Sequence, residues 1–352
     1  MNREREKDRV TIRDVSAAVG VSIATVNRAL NGKPRVSEET RKKILKTAEE
    51  MGFRANRAAQ ALSRNTIKIG VIVQRAIDAF NKDFADGAEK AFAELQDFNV
   101  SGEIITVDEQ LGPAHEQFLT HIKRLKQQGY QGIVLLPNSD TTGYRELIDQ
   151  LYSEGIYVAT AVTDLPGCKR LVSVRGNGYM AGQLAAELLD KFNAGKELAV
   201  FTSSDGVNIS LENVSGFLEE AEKRGLYVVS KYETHDIPQL AREAVDHLVE
   251  HYHNVKGVYI STANSIAVCE RICELKLENQ YQLVTTDLFE EMQPYLASGL
   301  IAATLFQNPK KQASTVIHEL VSHIDTNNKQ PKEIFITPQV VLQSNCKEFQ
   351  SL

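Results

Sequence analysis

Strand-like and helix-like segments alternate from Ile67 almost to the carboxyl terminus, and this alternation restricts the fold more than any other feature. Residues 67–73 are apolar apart from Lys68 near the start, which is typical of a strand buried on both faces. Strands that alternate with helices indicate βαβ units and parallel sheets. Eight or nine such units exceed one ordinary sheet, so we expect an α/β body of two doubly wound parallel-sheet lobes.

The boundaries of these segments follow from the apolar pattern. The further predicted strands are 103–107, 132–136, 157–161, 171–174, 198–201, 227–232, 257–260 and 282–286. The predicted helices of the body are 86–96, 115–128, 144–154, 178–192, 213–224, 238–251 and 266–275. Ligands of such sheets bind beyond the carboxyl ends of the strands, which here predicts a site in the cleft between two lobes.

Charge divides the 352-residue chain into a basic head and an acidic body. Residues 1–66 carry 15 Lys and Arg against 8 Asp and Glu, whereas the remainder carries 25 against 38. A basic module joined to an acidic one is typical of a nucleic-acid-binding domain attached to a second function. We therefore predict a DNA-binding head at 1–54, a linker at 55–66 and a sensing and dimerisation domain at 67–345.

The segment 10–30 predicts two short helices around one tight turn. Gly20 permits the turn conformation, Thr11 and Asp14 have the spacing of a capping box, and Ser22 can cap the second helix. A helix-turn-helix places its second helix in the DNA major groove. The side chains that would project from it are Ile23, Ala24, Thr25, Asn27 and Arg28.

A third helix and a linker complete the head. Ser37 is the expected cap of a helix at 38–51, in which Ile44, Leu45, Ala48 and Met51 have helical spacing and can close a small core. Residues 56–62 are good helix formers but too few to be stable alone. DNA or a partner chain would have to order them.

These head residues resemble the lactose-repressor (LacI/GalR) family of bacterial transcription regulators. The resemblance lies in 10–15, 21–22, 25–31, 36–37, 40–41, 52–53 and 56–57. It implies that Ile23, Ala24 and Arg28 face base edges and that Thr11, Ser22 and Thr25 bind phosphates. The hinge residues that it implies are Asn56, Arg57 and Ala59, with Leu62 as an apolar wedge in the minor groove. Asn27 and Ala55 depart from the serine and proline that are usual in the family.

The body looks like the periplasmic sugar-binding-protein fold that this family uses as its sensor. The candidate polar contacts to an effector are Asp78, Asp164, Asn213, Asn264, Asp287 and Gln307. Phe80 is the candidate aromatic face for a sugar ring. Asn213 stands where the family usually has arginine, and Asn264 stands where it usually has an acid. A more neutral pocket favours an uncharged sugar or cyclic polyol over a sugar phosphate or a purine.

Other functions have weaker support in the sequence. A dinucleotide-dependent enzyme would use 176–182, but its G-x-G-x-x-x-G spacing is one residue off the fingerprint and follows the fifth strand. No P-loop and no G-x-S-x-G elbow occur, so we expect neither an enzyme nor a bound cofactor. We expect Cys269 and Cys273 to be packed thiols rather than metal ligands. We expect the histidines at 247, 251 and 253 to lie at an exposed helix end rather than to bind a metal.

The expected partners are double-stranded DNA, a small effector and a second copy of the chain. One recognition helix reads a half-site, so a homodimer on a pseudo-palindromic operator is expected. The tail at 343–352 lacks a heptad pattern and predicts no coiled coil. No apolar run long enough for a membrane span and no signal peptide are found, which predicts a cytoplasmic protein. A regulator that responds to a non-sugar ligand or to a protein partner stays open.

Overall fold

A computed structural model describes residues 10–30, 35–53, 65–74, 78–108, 113–137, 143–204 and 208–350. Contacts divide the chain into two compact units. The first is Met1–Thr66 together with Leu95–Val100, and the second is Ile67–Glu94 together with Ser101–Leu352. No helix among these described residues is long and apolar enough to cross a membrane.

The head contains three helices: α1 (Ile12–Val19), α2 (Ile23–Leu30) and α3 (Glu38–Glu50). Their buried apolar side chains form one small cluster, made of Val15, Val19, Val26, Ala29, Ile44 and Ala48. The prediction for Leu45 was wrong, because its side chain is 44% exposed on the outer face of α3. Ile44 and Ala48, four residues apart, share the inner face instead.

The body contains two six-stranded sheets. The strands of the first sheet are β1 (Ile67–Gln74), β2 (Val100–Val107), β3 (Gly132–Leu135), β4 (Tyr157–Ala161), β5 (Val172–Gly176) and β11 (Lys332–Ile336), in the order β11-β5-β4-β3-β1-β2. The strands of the second are β6 (Glu197–Thr202), β7 (Tyr227–Glu233), β8 (Gly257–Ile260), β9 (Gln282–Thr286), β10 (Ile301–Phe306) and β12 (Gln339–Val341), in the order β12-β10-β9-β8-β6-β7. The central pairings are parallel, and β12 is antiparallel to β10.

Helices connect and cover these strands. Those of the body are α4 (Asp78–Leu95), α5 (Ala114–Gln127), α6 (Tyr144–Ser153), α7 (Gly178–Lys191), α8 (Asn208–Lys223), α9 (Pro238–His251), α10 (Ser265–Glu274), α11 (Gln293–Ser298), α12 (Pro309–Thr326) and α13 (Cys346–Gln350). The chain passes between the sheets after β5, after β10 and after β11. Helix α12 follows a strand of the second sheet yet packs on β3, β4 and β5 of the first.

Helices α7 and α8 pack with unusually close backbones. A methyl group added at Gly182 would lie 2.0 Å from the carbonyl oxygen of Asn213, and one at Gly216 would lie 2.0 Å from that of Tyr179. Only glycine fits such an approach without a shift of one helix. These two positions therefore fix the distance between α7 and α8.

The two doubly wound lobes confirm the predicted fold class, although the last part of the chain was not assigned correctly. The strands β10, β11 and β12 and the 18-residue helix α12 lie outside the predicted segments. Helix α4 also begins at Asp78, eight residues before the predicted start.

Candidate functional site: a helix-turn-helix surface and a polar edge of the second sheet

Side-chain caps define the two helices of the head motif. The Thr11 amide and hydroxyl each donate to Asp14 Oδ2 at 2.7 Å, and the Asp14 amide donates to Thr11 Oγ1 at 3.4 Å. These hydrogen bonds hold the pKa of Asp14 below its usual value. Gly20 then turns the chain with a φ of 77°. The Thr25 amide donates to Ser22 Oγ at 3.1 Å, which is the expected cap of α2.

The projecting face of α2 carries the side chains that the sequence assigned to DNA. Ile23 is 45% exposed, and Ala24, Asn27 and Arg28 are also exposed. Thr25 is half-buried, with its hydroxyl 2.8 Å from that of Ser22. The opposite face of α2 packs inward through Val26 and Ala29. The predicted hinge residues Asn56, Arg57, Ala59 and Leu62 lie outside the described residues.

Helix α3 is fastened to the end of α2 by an arginine. Arg41 donates from its guanidinium to the carbonyl oxygen of Ala29 at 3.1 Å. A cation at a helix carboxyl terminus interacts favourably with the helix dipole. This contact orients the recognition helix against the helix that supports it.

In the body, polar residues gather where the parallel strands of the second sheet end. The carboxyl ends of β6, β7, β8, β9 and β10 lie along one edge of this sheet, because neighbouring pairs are parallel. The residues that follow these ends are Ser203, Thr234, Asp236, Thr262, Asn264, Asp287 and Gln307. We call these seven residues the polar edge.

The side chains of Asp287 and Gln307 contact each other at the polar edge. Both residues were predicted from the sequence to contact the effector. Gln307 Nε2 donates to Asp287 Oδ1 at 2.9 Å. Asp287 adopts a φ of 70°, a left-handed conformation that aspartate tolerates better than most residues. Burial raises the pKa of Asp287 to about 7; the bond from Gln307 opposes this rise, and the charge of Asp236 adds to it.

Asp236 is a polar-edge residue that the sequence reasoning missed. Its Oδ2 accepts from the Ser203 hydroxyl at 2.6 Å, and its Oδ1 accepts from the Thr262 hydroxyl and, at 3.4 Å, from the Ala263 amide. His235 and Asp236 both have positive φ, of 50° and 55°. The carboxylate thus ties the ends of β6 and β8 together. Its position in the loop that follows the predicted strand 227–232 was the signal that could have found it.

Asn264 is buried and lies next to this network. Its Nδ2 donates to Thr234 Oγ1 at 3.1 Å, and 5% of the residue is exposed. It precedes α10, but its side chain does not cap that helix. The amide is held in place by a threonine and not by the helix terminus.

Asn213 is buried on α8, and its backbone carbonyl lies against Gly182 of α7. The residue is 4% exposed. Among the described residues it has no side-chain hydrogen-bond partner. The side chain of Asp78 lies outside the described part of the structure.

The structure gives Asp164 a structural role, contrary to its assignment as an effector contact. Its two carboxylate oxygens accept from the Arg170 guanidinium at 2.5 Å each, and Oδ1 also accepts from the Thr160 hydroxyl at 2.8 Å. Burial raises the pKa of Asp164, but the bonds from Arg170 and Thr160 outweigh it and the pKa is lowered. Both partners are almost fully buried, so this carboxylate has no free face for a ligand.

Phe80 is likewise covered rather than open to a sugar ring. It is 7% exposed and belongs to an apolar cluster whose other members come from the second lobe, among them Phe289 and Met292. Because α4 connects β1 and β2 of the first sheet, Phe80 is a contact between the lobes. The Arg175–Glu212 ion pair, between β5 and α8, is a second one.

A cavity of about 490 Å³ lies beside this interlobe contact. Its lining includes Lys82 and Asp83 of α4, Phe289, Phe306 and Phe349. The rings of Phe306 and Phe349 meet edge to face at 5.7 Å. Leu288 and Phe306, the chain neighbours of Asp287 and Gln307, also line it, so the cavity lies next to the polar edge.

Two models of known families match this chain, one over the head and one over the body. Residues 11–56 match the family described as bacterial regulatory proteins, lacI family, and residues 69–329 match the periplasmic binding protein domain. The chain belongs to the periplasmic binding protein domain family through its body, and its head is a DNA-binding domain of the LacI type. It is therefore a DNA-binding transcription regulator.

Two curated relatives and one solved structure illustrate this LacI-family placement. Catabolite control protein A of Priestia megaterium is 27% identical over 72% of this chain and 74% of its own. The maltose regulon regulatory protein MalI of Escherichia coli is 27% identical over 89% of each chain. GanP, a glucose-galactose binding protein from Geobacillus stearothermophilus, has a TM-score of 0.69 at 21% identity, over 80% of this chain and 99% of its own. The two curated relatives are regulators, and GanP shares the fold of the body.

Proposed function

We propose that this LacI-family regulator is a repressor controlled by an uncharged sugar or cyclic polyol that binds at the polar edge. The observation that carries the proposal is the Asp287–Gln307 pair, which lies on the same edge of the sheet as the buried amide of Asn264. Carboxylate and amide groups in fixed orientation suit the neighbouring hydroxyls of a sugar, which both donate and accept. Asp164 and Phe80 are left out of the proposed site, because Arg170 binds both carboxylate oxygens of Asp164 and Phe80 packs in the apolar cluster of the second lobe.

Charge supports a neutral effector over an anionic one. The polar edge carries the carboxyl groups of Asp236 and Asp287 together with hydroxyls and amides. A phosphate near these carboxylates would face like-charge repulsion. Asn213 also replaces the arginine that the family usually has, which removes a cation that could offset it.

The comparisons support the same class of ligand. The name of one relative refers to the maltose regulon, and the name of one protein that shares the fold refers to glucose and galactose. For this chain we propose an effector of the same class. The repressed genes would then encode proteins for the utilisation of a carbohydrate or polyol.

On the DNA side, we propose that Ile23, Ala24 and Arg28 read base edges of a half-site, with Asn27 beside them. Thr11, Ser22 and Thr25 would bind phosphates, and Asn56, Arg57, Ala59 and Leu62 would form the hinge at the operator centre. A homodimer would then span a pseudo-palindrome in the cytoplasm. Effector binding would shift the population of lobe arrangements and so change how the two hinges meet.

A thermal-shift screen tests the effector proposal. The full chain is heated with maltose, galactose, glucose and myo-inositol, and in parallel with glucose 6-phosphate and guanine. A ligand at about 100 times its dissociation constant adds about 2.7 kcal/mol to the free energy of unfolding. We expect a shift with a neutral compound and none with the phosphate. A shift with glucose 6-phosphate or guanine alone would refute the neutral site.

Two variants test whether the effector binds at the polar edge. Asn264→Ala should abolish the shift, because it removes a buried amide of the polar edge. Asp97→Ala, which removes an exposed carboxylate after α4, is the matched control and should keep the shift. Operator affinity without effector should be unchanged in both variants. A shift that persists in Asn264→Ala, or is lost equally in the control, would place the ligand elsewhere.

A further inference from the structure

The segments that join the two lobes contact one another where they cross. The amide of Asn177, which follows β5, donates to the carbonyl oxygen of Ile336 at the end of β11 at 3.1 Å. Gly176, the last residue of β5, lies against the side chain of Gln307, which follows β10. We call these four residues the crossover contact. It brings together the three places where the chain passes from one sheet to the other.

Gly176 leaves the space that the side chain of Gln307 occupies. A methyl group at position 176 would lie 2.7 Å from Gln307 Oε1, which is closer than real methyl carbons approach. The next nearest atoms, at 3.6 and 3.7 Å, also belong to the side chain of Gln307. An alanine at this position would therefore displace the flexible end of Gln307 and not the backbone.

The same side chain reaches the polar edge. Gln307 Nε2 donates to Asp287 Oδ1 at 2.9 Å, while Gln307 Oε1 faces Gly176. The backbone carbonyl oxygen of Gln307 accepts from Nε2 of Gln312 on α12 at 3.0 Å, which fixes the main chain at this point. One amide group thus connects a residue of the first sheet to a carboxylate of the second.

The residue before Gly176 ties the end of β5 to the second lobe. Arg175 forms an ion pair with Glu212 of α8, and its guanidinium lies over the ring of Phe335 of β11, 4.5 Å from the centroid. The side chain of Arg175 is 13% exposed, so little water would replace a lost partner. A movement of the second lobe is therefore passed to the end of β5.

From these contacts we infer that Gly176 positions Gln307 and thereby transmits rotation of the lobes to Asp287. Gly176 acts through Gln307, so it is a positioning residue and not an effector contact. A rotation that brings Gly176 closer to Gln307 displaces the amide, and one that separates them releases it. Either changes the donor that is offered to Asp287. This role rests on the proposed function, because it takes Asp287 as an effector contact.

The ionisation of Asp287 reports whether Gln307 is in place. Burial raises the pKa of Asp287 to about 7, and the bond from Gln307 opposes this rise. Loss of the bond therefore costs stability above about pH 7, where Asp287 is ionised, and costs little where it is protonated. The charge of Asp236 also raises this pKa, and Tyr259 of β8 stays protonated because burial raises its own pKa.

The test uses the full-length chain without effector and measures its melting temperature at pH 6 and at pH 9. Gly176→Ala should lower the melting temperature by about 3–6 °C more at pH 9 than at pH 6, because it removes one hydrogen bond to an ionised carboxylate. Gln307→Ala should give the same excess loss. When Asp287→Asn is also present, Gly176→Ala should lower the melting temperature equally at both pH values. A glycine that served only for packing would give equal losses in both backgrounds.

Two variants of α8 test the connection between the lobes. Glu212→Gln removes the ion pair with Arg175 and should also give an excess loss at pH 9. Glu220→Gln is the matched control, because the partner of Glu220 is Arg224 of the same lobe, and its effect should not depend on pH.

Two results would overturn this transmission. One is an equal loss at pH 6 and pH 9 in Gly176→Ala, and the other is an excess loss in Glu220→Gln as large as in Glu212→Gln. A thermal-shift screen without a hit would refute the proposed effector but would leave these melting temperatures unchanged, so the two failures are distinguishable.

Discussion

Replacing Asp287 by asparagine should stabilise the protein while it impairs sensing. The carboxyl group of Asp287 has a pKa of about 7 in the folded chain, against an ordinary value of 3.8. Between these values the folded protein holds a proton that the unfolded chain has released. The stability contributed at this site therefore falls as the pH rises from about 4 to about 7, and it stays low above 7.

The size of the effect follows from that difference. A pKa raised from 3.8 to about 7 corresponds to about 4 kcal/mol against the ionised form in the folded state. Because the residue is half-buried and water reaches it, we expect Asp287→Asn to recover about 2–4 kcal/mol at pH 8. Asparagine keeps an oxygen for Gln307 Nε2 and tolerates the φ of 70°.

Thermal unfolding at two pH values measures this effect. At pH 8 the melting temperature of Asp287→Asn should exceed that of the wild type by about 4–8 °C. At pH 5 the gain should be less than half as large, because the folded wild type is then protonated at this site. An equal gain at both pH values, or a loss at pH 8, would show that Asp287 is not held in a desolvating environment.

Three other substitutions test the head and the α7–α8 contact. Arg28→Ala should cost about 1–3 kcal/mol on the cognate operator and little on random DNA in a binding titration, and equal losses on both would contradict base reading. Gly216→Ala should lower stability by about 1–3 kcal/mol in chemical denaturation, because its methyl group would meet the Tyr179 carbonyl oxygen, whereas the exposed neighbour variant Ser215→Ala should not. Thr11→Ala should lower the stability of the head by about 1 kcal/mol, and an unchanged thermal transition of that domain would argue against the capping box.

Local chemistry made the head predictable. The caps at Thr11 and Ser22 and the turn at Gly20 depend on residues within a few positions of one another. The exposed position of Leu45 was missed because helical spacing alone does not tell which side of a stripe meets the core. That choice depends on where α1 and α2 lie.

The body was predictable where strands are continuous apolar runs. The strand β4 and the helix α9 have the predicted bounds. The strands β11 and β12 were missed because each pairs with a strand that lies far away in the sequence. β11 pairs with β5 in the first sheet, and β12 pairs with β10 in the second. Their residues are exposed or half-buried apart from Val341, so they lack the apolar signal of a central strand.

The candidate site was partly predictable for a similar reason. Asp287 and Gln307 each follow a strand, and adjacent parallel strands bring them together. Asp164 also follows a strand, but six residues later Arg170 returns to bind it, which residue type and position did not reveal. Phe80 is covered through a contact between lobes, which no local pattern encodes.

The last two strands have a consequence for how this regulator is made. Residues 332–341 close an edge of each sheet, β11 beside β5 and β12 beside β10. A ribosome delivers these residues after all the other strands of both sheets, so neither sheet can be completed until then. The head, whose contacts are short-range, can fold long before this. A newly made chain would therefore present a DNA-binding surface before it has a finished sensor to govern it.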